Sequence, residues 1–450
     1  MKELIRKYNT PGPRYTSYPT VPFWEEESIN NTVWSQFIKE KFGEKGEKEI
    51  SLYIHLPFCE NLCTFCGCHK RITKNHKVEE PYIDTLIKEW KLYTDLLGKD
   101  VVIKEIHLGG GTPTFFAAEK LKALILNIKA NSNFCTDISM SFEAHPNNTT
   151  QEHLQSLYDI GFRRLSLGIQ DYDAKVQKTI NRVQSFEQVA KVHNLAKEIG
   201  YTSISHDIIY GLPFQKLESI AQTIDYTSQL KPERISFYSY AHVPWIKGVG
   251  QRGYSEQDLP KNEEKQALYE YGKSALESLG YKDVGMDHFA LEDDELYLAQ
   301  QNGELHRNFM GYTTQSSDTL IGLGMSAISD AWGAFAQNEK HVEDYQQRIN
   351  QGELAIFRGH LLNEEDLIIR RIILDLMCTF TSEIPQNILT HALVNTDLFN
   401  EMKQDVLVNV HPEYLELTEK GKPFIRNLCM CFDLRLNRKK VEKNMFSSTI

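Results

Sequence analysis

From residue 50 to about residue 240 the spacing of apolar positions switches repeatedly between two periods. Short β-rich runs, ISLYIHL (50–56), KEIHLGG (104–110), ISMSFEA (138–144), RRLSLGI (163–169), SISHDIIYG (203–211) and RISFYSYA (234–241), are separated by amphipathic stretches such as EEPYIDTLIKEWKLYTDLL and FEQVAKVHNLAKEIG. Strands that alternate with helices pair in parallel. The pattern predicts an α/β fold, an incomplete parallel (β/α)6 barrel. Its flanks differ. Residues 1–35 are rich in Pro, Tyr and Thr without a clear period and read as an arm, leaving 36–335 as the catalytic domain. Residues 336–450 turn mainly helical, as in EEDLIIRRIILDLMCTF, and the short run EYLELT adds a small wing.

Composition narrows the classes. The chain has 450 residues and a net charge of −11 with no long basic run, which argues against nucleic acid as a partner. No apolar run is long enough to span a bilayer, and the first residues lack the apolar stretch of a signal peptide. A cytoplasmic, reducing location is therefore expected, where clustered cysteines read as metal ligands before disulfides.

Four of the eight cysteines, Cys59, Cys63, Cys66 and Cys68, fall within HLPFCENLCTFCGCHK, directly after the first strand. Structural zinc wants four ligands, usually as two separated pairs. Three thiolates on one loop instead leave one iron of a [4Fe–4S] cluster open for chemistry. A zinc knuckle completed by Cys68 or a histidine is the alternative. In a β/α barrel the chemistry lies at the C-terminal strand ends, and further candidates fall there. GGGTPT (109–114) follows the second strand; its glycines admit a ligand close to the backbone, or make a tight turn. Glu143, Gln170, Asp207, Tyr240 and Ala241 lie at or near the ends of later strands, where an acid or amide can accept from a ribose hydroxyl or an ammonium. Arg182 is either a carboxylate partner or a surface arginine.

Cys-x-x-x-Cys-x-x-Cys with Phe65 before the last cysteine resembles the signature of radical S-adenosylmethionine enzymes. The motifs PGPRYTSYPT, LYIHLPFCENLCTFCGC, LGGGTPT, GIQDY, GLP, YAHVP, GMDHFA, LHRNFMGYTT and RNLCMCFD run in order from residue 11 to 433 and resemble the oxygen-independent coproporphyrinogen III oxidases. That resemblance implies a [4Fe–4S] cluster on Cys59, Cys63 and Cys66 and two S-adenosylmethionine molecules. The first would meet Tyr53, Gly110, Glu143 and Ile328; the second Phe65, Gly111, Thr112, Gln170, Arg182, Asp207 and Ala241. Cys68 and Glu143 are the candidate catalytic residues. It also implies coproporphyrinogen III as substrate, an electron donor such as flavodoxin or ferredoxin, no membrane and no nucleic acid, and a monomer.

Two departures stand out. FEAHP puts His145 where the family often has an acid, and SHD puts His206 where an amide is expected; both are read as marks of a sub-branch. Arg14 and Arg307 are the candidate propionate partners, with a salt bridge that tacks down the arm as the alternative for Arg14. His288 and His306 receive no role. Cys429 and Cys431, one residue apart, read as packing, and Cys135 and Cys378 as core. Two rival functions are a haem-binding chaperone and a radical haem-opening methyltransferase of the same superfamily. Gly67, Cys68 and the arm count against the chaperone.

Overall fold

The computed structural model describes residues 2–438, 446 and 449, apart from 44, 45, 47, 99, 245–249, 385–388, 390 and 391. Its frame is the six-strand parallel series that the sequence predicts: β1 (Glu49–Leu56), β2 (Val102–Gly110), β3 (Asn133–Ala144), β4 (Arg164–Gln170), β5 (Ser203–Tyr210) and β6 (Arg234–Ser239). Helices α3 (Glu79–Leu97), α4 (Ala118–Ala130), α5 (Gln151–Asp159), α7 (Phe186–Ile199) and α8 (Leu217–Leu230) connect them, with the short α6 (Ala174–Thr179) before α7; α1 (Lys2–Tyr8) and α2 (Asn31–Lys41) precede the barrel.

Alternation decides what each face does. Ile50, Leu52, Ile54 and Leu56 of β1 point outward, as do Ile106 and Leu108 of β2 and Leu165 and Leu167 of β4. There they pack on Tyr82, Leu86 and Trp90 of α3 and Leu121 and Leu124 of α4. Each such side chain contributes about 1.5–3 kcal/mol when fully buried. The opposite face is polar: Glu105, His107, Ser141, Arg164, Asp207 and Ser236 line the barrel interior. A closed barrel fills its centre with branched apolar side chains. This one keeps a polar, charged cavity at its centre, which suits a ligand.

Four more strands extend the sheet beyond β1. β9 (Leu320–Leu323) pairs parallel with β1, followed by antiparallel β10 (Ile328–Asp330), β11 (Ala334–Asn338) and β12 (Ile356–Leu361). Beyond β6 come β8 (His288–Ala290) and β7 (Lys282–Gly285), both antiparallel. The two ends of this twelve-stranded sheet are separate edges, so the barrel is incomplete. The expected division at residue 335 falls inside β11; helices dominate only from Glu364. Strands of three to six residues carry too little periodicity to be separated from the helices that follow.

The C-terminal unit packs helices Glu364–Thr379, Thr396–Gln404 and Ile425–Phe432 against a three-stranded antiparallel wing that contains Tyr414–Leu417. The arm belongs to its core: Tyr8, Tyr15 and Tyr18 are buried with Leu376, Leu415 and Leu428. Cys429 and Cys431 are buried there too, and Cys378 is buried nearby. Cys135 corrects the core expectation. It lies near the solvent-facing start of β3, half-buried, its thiol 2.7 Å from Asp137 Oδ1.

Candidate active site

The cysteine loop leaves the end of β1 and is held along its length. Phe58–Cys59 pairs in parallel with Arg71–Ile72, closing residues 60–70 into a loop. The backbone N–H of Thr64 donates to Ile180 O (2.9 Å), Asn181 Nδ2 to Leu62 O (2.8 Å) and Tyr254 Oη to Thr64 O (2.9 Å). Gln251 Nε2 donates to Ala241 O (2.7 Å) and reaches Phe65 O (3.4 Å), which brings Ala241 beside the loop. No motif in the sequence singles out Gln251 or Tyr254; only the tertiary fold brings them here.

Cys59, Cys63 and Cys66 line one cavity of about 160 Å³. Thr112 Oγ1 donates to Cys59 Sγ at 3.3 Å and Arg182 Nη1 to Cys63 Sγ at 3.7 Å. Burial pushes the Cys59 thiol up to about 11, whereas a hydrogen bond from Cys68 pulls Cys66 down. The same bond, on its donor side, raises Cys68. Among the described residues no three His, Cys, Asp or Glu side chains converge on a single-ion site. Three thiols on one loop that line one cavity, with hydrogen-bond donors at two sulfurs, fit the three-cysteine ligation that leaves one iron of a [4Fe–4S] cluster open.

The glycine loop faces them. Gly110 has φ +112°, a conformation open to glycine, and a Cβ on Gly111 would sit 2.5 Å from Pro57 O at the root of the cysteine loop. The Gly110 N–H donates to Glu143 Oε2 (3.2 Å), and His107 Nε2 lies 3.6 Å from Glu143 Oε1. The cysteine cavity continues along Phe65, Gly111, Thr112, Gln170, Arg182 and Asp207, six of the seven residues expected at the second cofactor molecule. Asp173 caps α6, and Asn181 at φ +53° turns the chain so that Arg182 reaches back to Gly168 O (2.7 Å). Burial raises the Asp207 carboxyl to about 6, against a hydrogen bond from Ser166 (2.7 Å).

A second cavity, about 410 Å³, opens on the other side of Gly110, Glu143 and Cys68, which line both. Tyr53 and Ile328, the other residues expected at the first cofactor molecule, line it. So do His69 and Met310, which lie inside quoted motifs without being singled out there, and Arg358, which no sequence signal marked. The Arg358 guanidinium donates to Gln337 Oε1 (2.8 Å) and lies over Trp24 (5.7 Å).

The remaining candidates sit elsewhere. Arg14 ion-pairs with Asp287, as the tacking alternative expects, and lines a cavity between the arm, β7 and the C-terminal unit. Arg307 is 7% exposed, stacks 4.5 Å from the Tyr312 ring and donates to Arg14 O (3.5 Å). Neither lines the two cysteine-bearing cavities. The two departures also part company. His145 lies in the cysteine cavity, its ring kept neutral by burial and by Arg182, which lower its pKa to about 3. His206 points out of the barrel, 3.1 Å from His193 of α7, and so cannot touch a ligand in the interior.

Comparison with known proteins shows the family and the fold. The Radical SAM superfamily matches residues 53–227. The oxygen-independent coproporphyrinogen III oxidase of Salmonella typhimurium is 37% identical over 99% of this chain and 98% of its own length. The Escherichia coli enzyme of that name is 39% identical over 99% and 98%. A solved structure of coproporphyrinogen III oxidase from Escherichia coli, described as a radical SAM enzyme, superposes with a TM-score of 0.89 at 37% identity, covering 97% of this chain and 99% of that one.

Proposed function

The chain belongs to the family of oxygen-independent coproporphyrinogen III oxidases, and we propose from that premise how its two adjoining cavities divide the work. The reaction is the anaerobic oxidative decarboxylation of two propionate side chains of coproporphyrinogen III to vinyl groups, which gives protoporphyrinogen IX for haem biosynthesis. When bound, a [4Fe–4S] cluster held by Cys59, Cys63 and Cys66 together with S-adenosylmethionine would supply one-electron radical chemistry able to remove a β-hydrogen atom from a propionate. Conversion of the propionate to a vinyl group then requires loss of carbon dioxide and transfer of one electron to an external one-electron acceptor.

The observation that carries the division is the partition of side chains. Of the two cavities, Tyr53 and Ile328 line only the larger, Phe65, Gly111, Thr112, Gln170, Arg182 and Asp207 line only the other, and Gly110 and Glu143 stand between the two. Two S-adenosylmethionine molecules fill these cavities, meeting at Gly110, Glu143 and Cys68. Cys59, Cys63 and Cys66 hold the cluster. Glu143, which accepts from the Gly110 N–H, receives the ammonium of the first molecule, and Asp207 accepts from a donor group of the second. Cys68 shares a wall with both molecules and acts on the substrate side of the reaction. Arg358 lines the larger cavity, and its planar guanidinium suits a carboxylate such as a propionate there. Holding the reacting carbon beside C5′ and away from water is what the protein contributes to the rate.

The test is an anaerobic assay with coproporphyrinogen III and, separately, haem. Two 5′-deoxyadenosines per divinyl product are expected; consumption of haem with a methylated, ring-opened product would overturn the reading. Cys63→Ser should lose its iron, while Cys68→Ser should keep about four irons per chain and make much less product. Iron retained in Cys63→Ser would refute the ligand set, and full activity in Cys68→Ser would leave that thiol without a role.

A further inference from the structure

The cysteine loop runs directly into an exposed basic segment. KRITKNHK, residues 70–77, carries Lys70, Arg71, Lys74 and Lys77 and no carboxylate, in a chain whose net charge is −11. Its place relative to the cluster ligands is close. Ile72 is the cross-strand partner of Cys59, and the Thr73 N–H donates to Cys59 O at 2.9 Å. Neighbouring strands lie about 4.8 Å apart, so the surface of Ile72 is one strand spacing from a cluster ligand's backbone. Lys70 Nζ bonds the carbonyls of Cys66 (3.3 Å) and Cys68 (3.1 Å). Ile72 is 40% exposed, an apolar side chain in a run that carries Lys70, Arg71, Lys74 and Lys77.

The acids around this patch are accounted for. Arg71 pairs with Glu343 (3.0 Å), and His76 lies 3.5 Å from Glu60 and 2.6 Å from the buried Glu79. Among the described residues no carboxylate ion-pairs with Lys74 or Lys77. An electron must reach the cluster from outside, and the cavity that Lys70 lines with the cysteines is given over to cofactor, which leaves the largely exposed run from Arg71 to Lys77 as the outer face of the loop.

We infer that the Lys70–Lys77 segment is the docking surface for a small, acidic, one-electron carrier protein that reduces the cluster, with Ile72 at its centre. The inference rests on the proposed function, which requires a reducible cluster at Cys59, Cys63 and Cys66. The step balances simply: the reduced carrier loses one electron, the cluster gains it, and no proton need move. Complementary charge of this kind speeds encounter and is screened by salt.

The test measures how fast the anaerobic holoenzyme's cluster is bleached by a prereduced acidic flavodoxin, and by photoreduced deazariboflavin, a neutral small reductant. The double variant Lys74→Glu/Lys77→Glu should react at least tenfold more slowly with flavodoxin at low salt. The gap should close at high salt, and bleaching by deazariboflavin should be unchanged. A control pair at the opposite end of the barrel, Lys129→Glu/Lys231→Glu, should react like the parent. Equal flavodoxin rates in parent and double variant would overturn the inference, as would an equal slowing in the control pair, which would make the effect one of net charge. A parent that deazariboflavin cannot bleach has no reducible cluster, and that result overturns the proposed function itself.

Discussion

Asp207 shows how much a single position in the barrel interior depends on its surroundings. Its carboxyl is buried and raised to about 6, with Ser166 donating to it and Glu143 close enough to raise it further. Below that pH it is protonated and a poorer acceptor. Cofactor affinity at this cavity should therefore rise between pH 5 and 7, by up to about tenfold, as the carboxylate forms. Asp207→Asn should flatten that rise, and an unchanged profile in calorimetric titrations would remove Asp207 from the contact. The same scale separates His145 from His206. Their residue type says nothing of which face they occupy; one strand position decides that the first meets the ligand cavity and the second packs on His193. Arg358 makes the point in reverse, being an unmarked arginine until β12 places it at the larger cavity.

At the scale of the element, the turn from β4 to α7 controls Arg182. Gln177 Nε2 clamps the carbonyls of Asp171 (2.9 Å) and Gln184 (2.8 Å), and Gln184 in turn bonds Gly168 O and Ile169 O (3.0 and 2.8 Å). Gly168 leaves the room that Arg182 needs: a Cβ there would come within 2.6 Å of its Nη2 and 2.8 Å of Gln170 Nε2. Both are ends of flexible side chains, so Gly168→Ala should cost about 1 kcal/mol or less in stability. It should still push the guanidinium off Gly168 O and Cys63 Sγ. Weakened S-adenosylmethionine binding with a nearly unchanged melting temperature is the expected pair of results. Parent-like binding would show that Arg182 does not set that cavity. Ser185 caps α7 and Gly200 in the left-handed region ends it, which fixes where this turn begins and where β5 can start.

Across the whole molecule, Glu89 ties the barrel to the strands that extend it. From α3 it accepts hydrogen bonds from Gly324 N (2.8 Å), Asn338 Nδ2 (2.6 Å) and Tyr345 Oη (2.7 Å), which hold the loop leading to Ile328. Burial raises its carboxyl to about 7 from an ordinary 4.5. Between those two values the folded chain holds a proton that the unfolded chain has lost. Its contribution to stability is thus fully present below about pH 4.5 and declines as pH rises to about 7, by on the order of 3 kcal/mol. Asp171, raised to about 7 by burial, acts in the same direction. Glu89→Gln should make the fall in denaturation midpoint between pH 5 and 7 shallower. An equal slope would place the titration elsewhere. The arm is tied across a still longer stretch of chain: Arg426 donates to Pro13 O (2.8 Å) and Tyr15 Oη to Asp433 Oδ2 (3.0 Å).

What the sequence determined by itself is what depends on near neighbours. Alternating periods located all six central strands, because side-chain direction along a strand or helix follows from local geometry. The spacing of Cys59, Cys63 and Cys66 placed three thiols on one loop, and three successive glycines announced a close approach of backbone, here to Pro57. The tertiary structure alone decided the side of the barrel to which each remaining polar group was assigned. Arg14 meets Asp287 across 273 positions, Gln251 reaches Phe65 across 186, and β11 and β12 join the sheet beyond the expected boundary. Such pairings are fixed by how apolar faces of distant segments stack, and no window of the chain contains both partners.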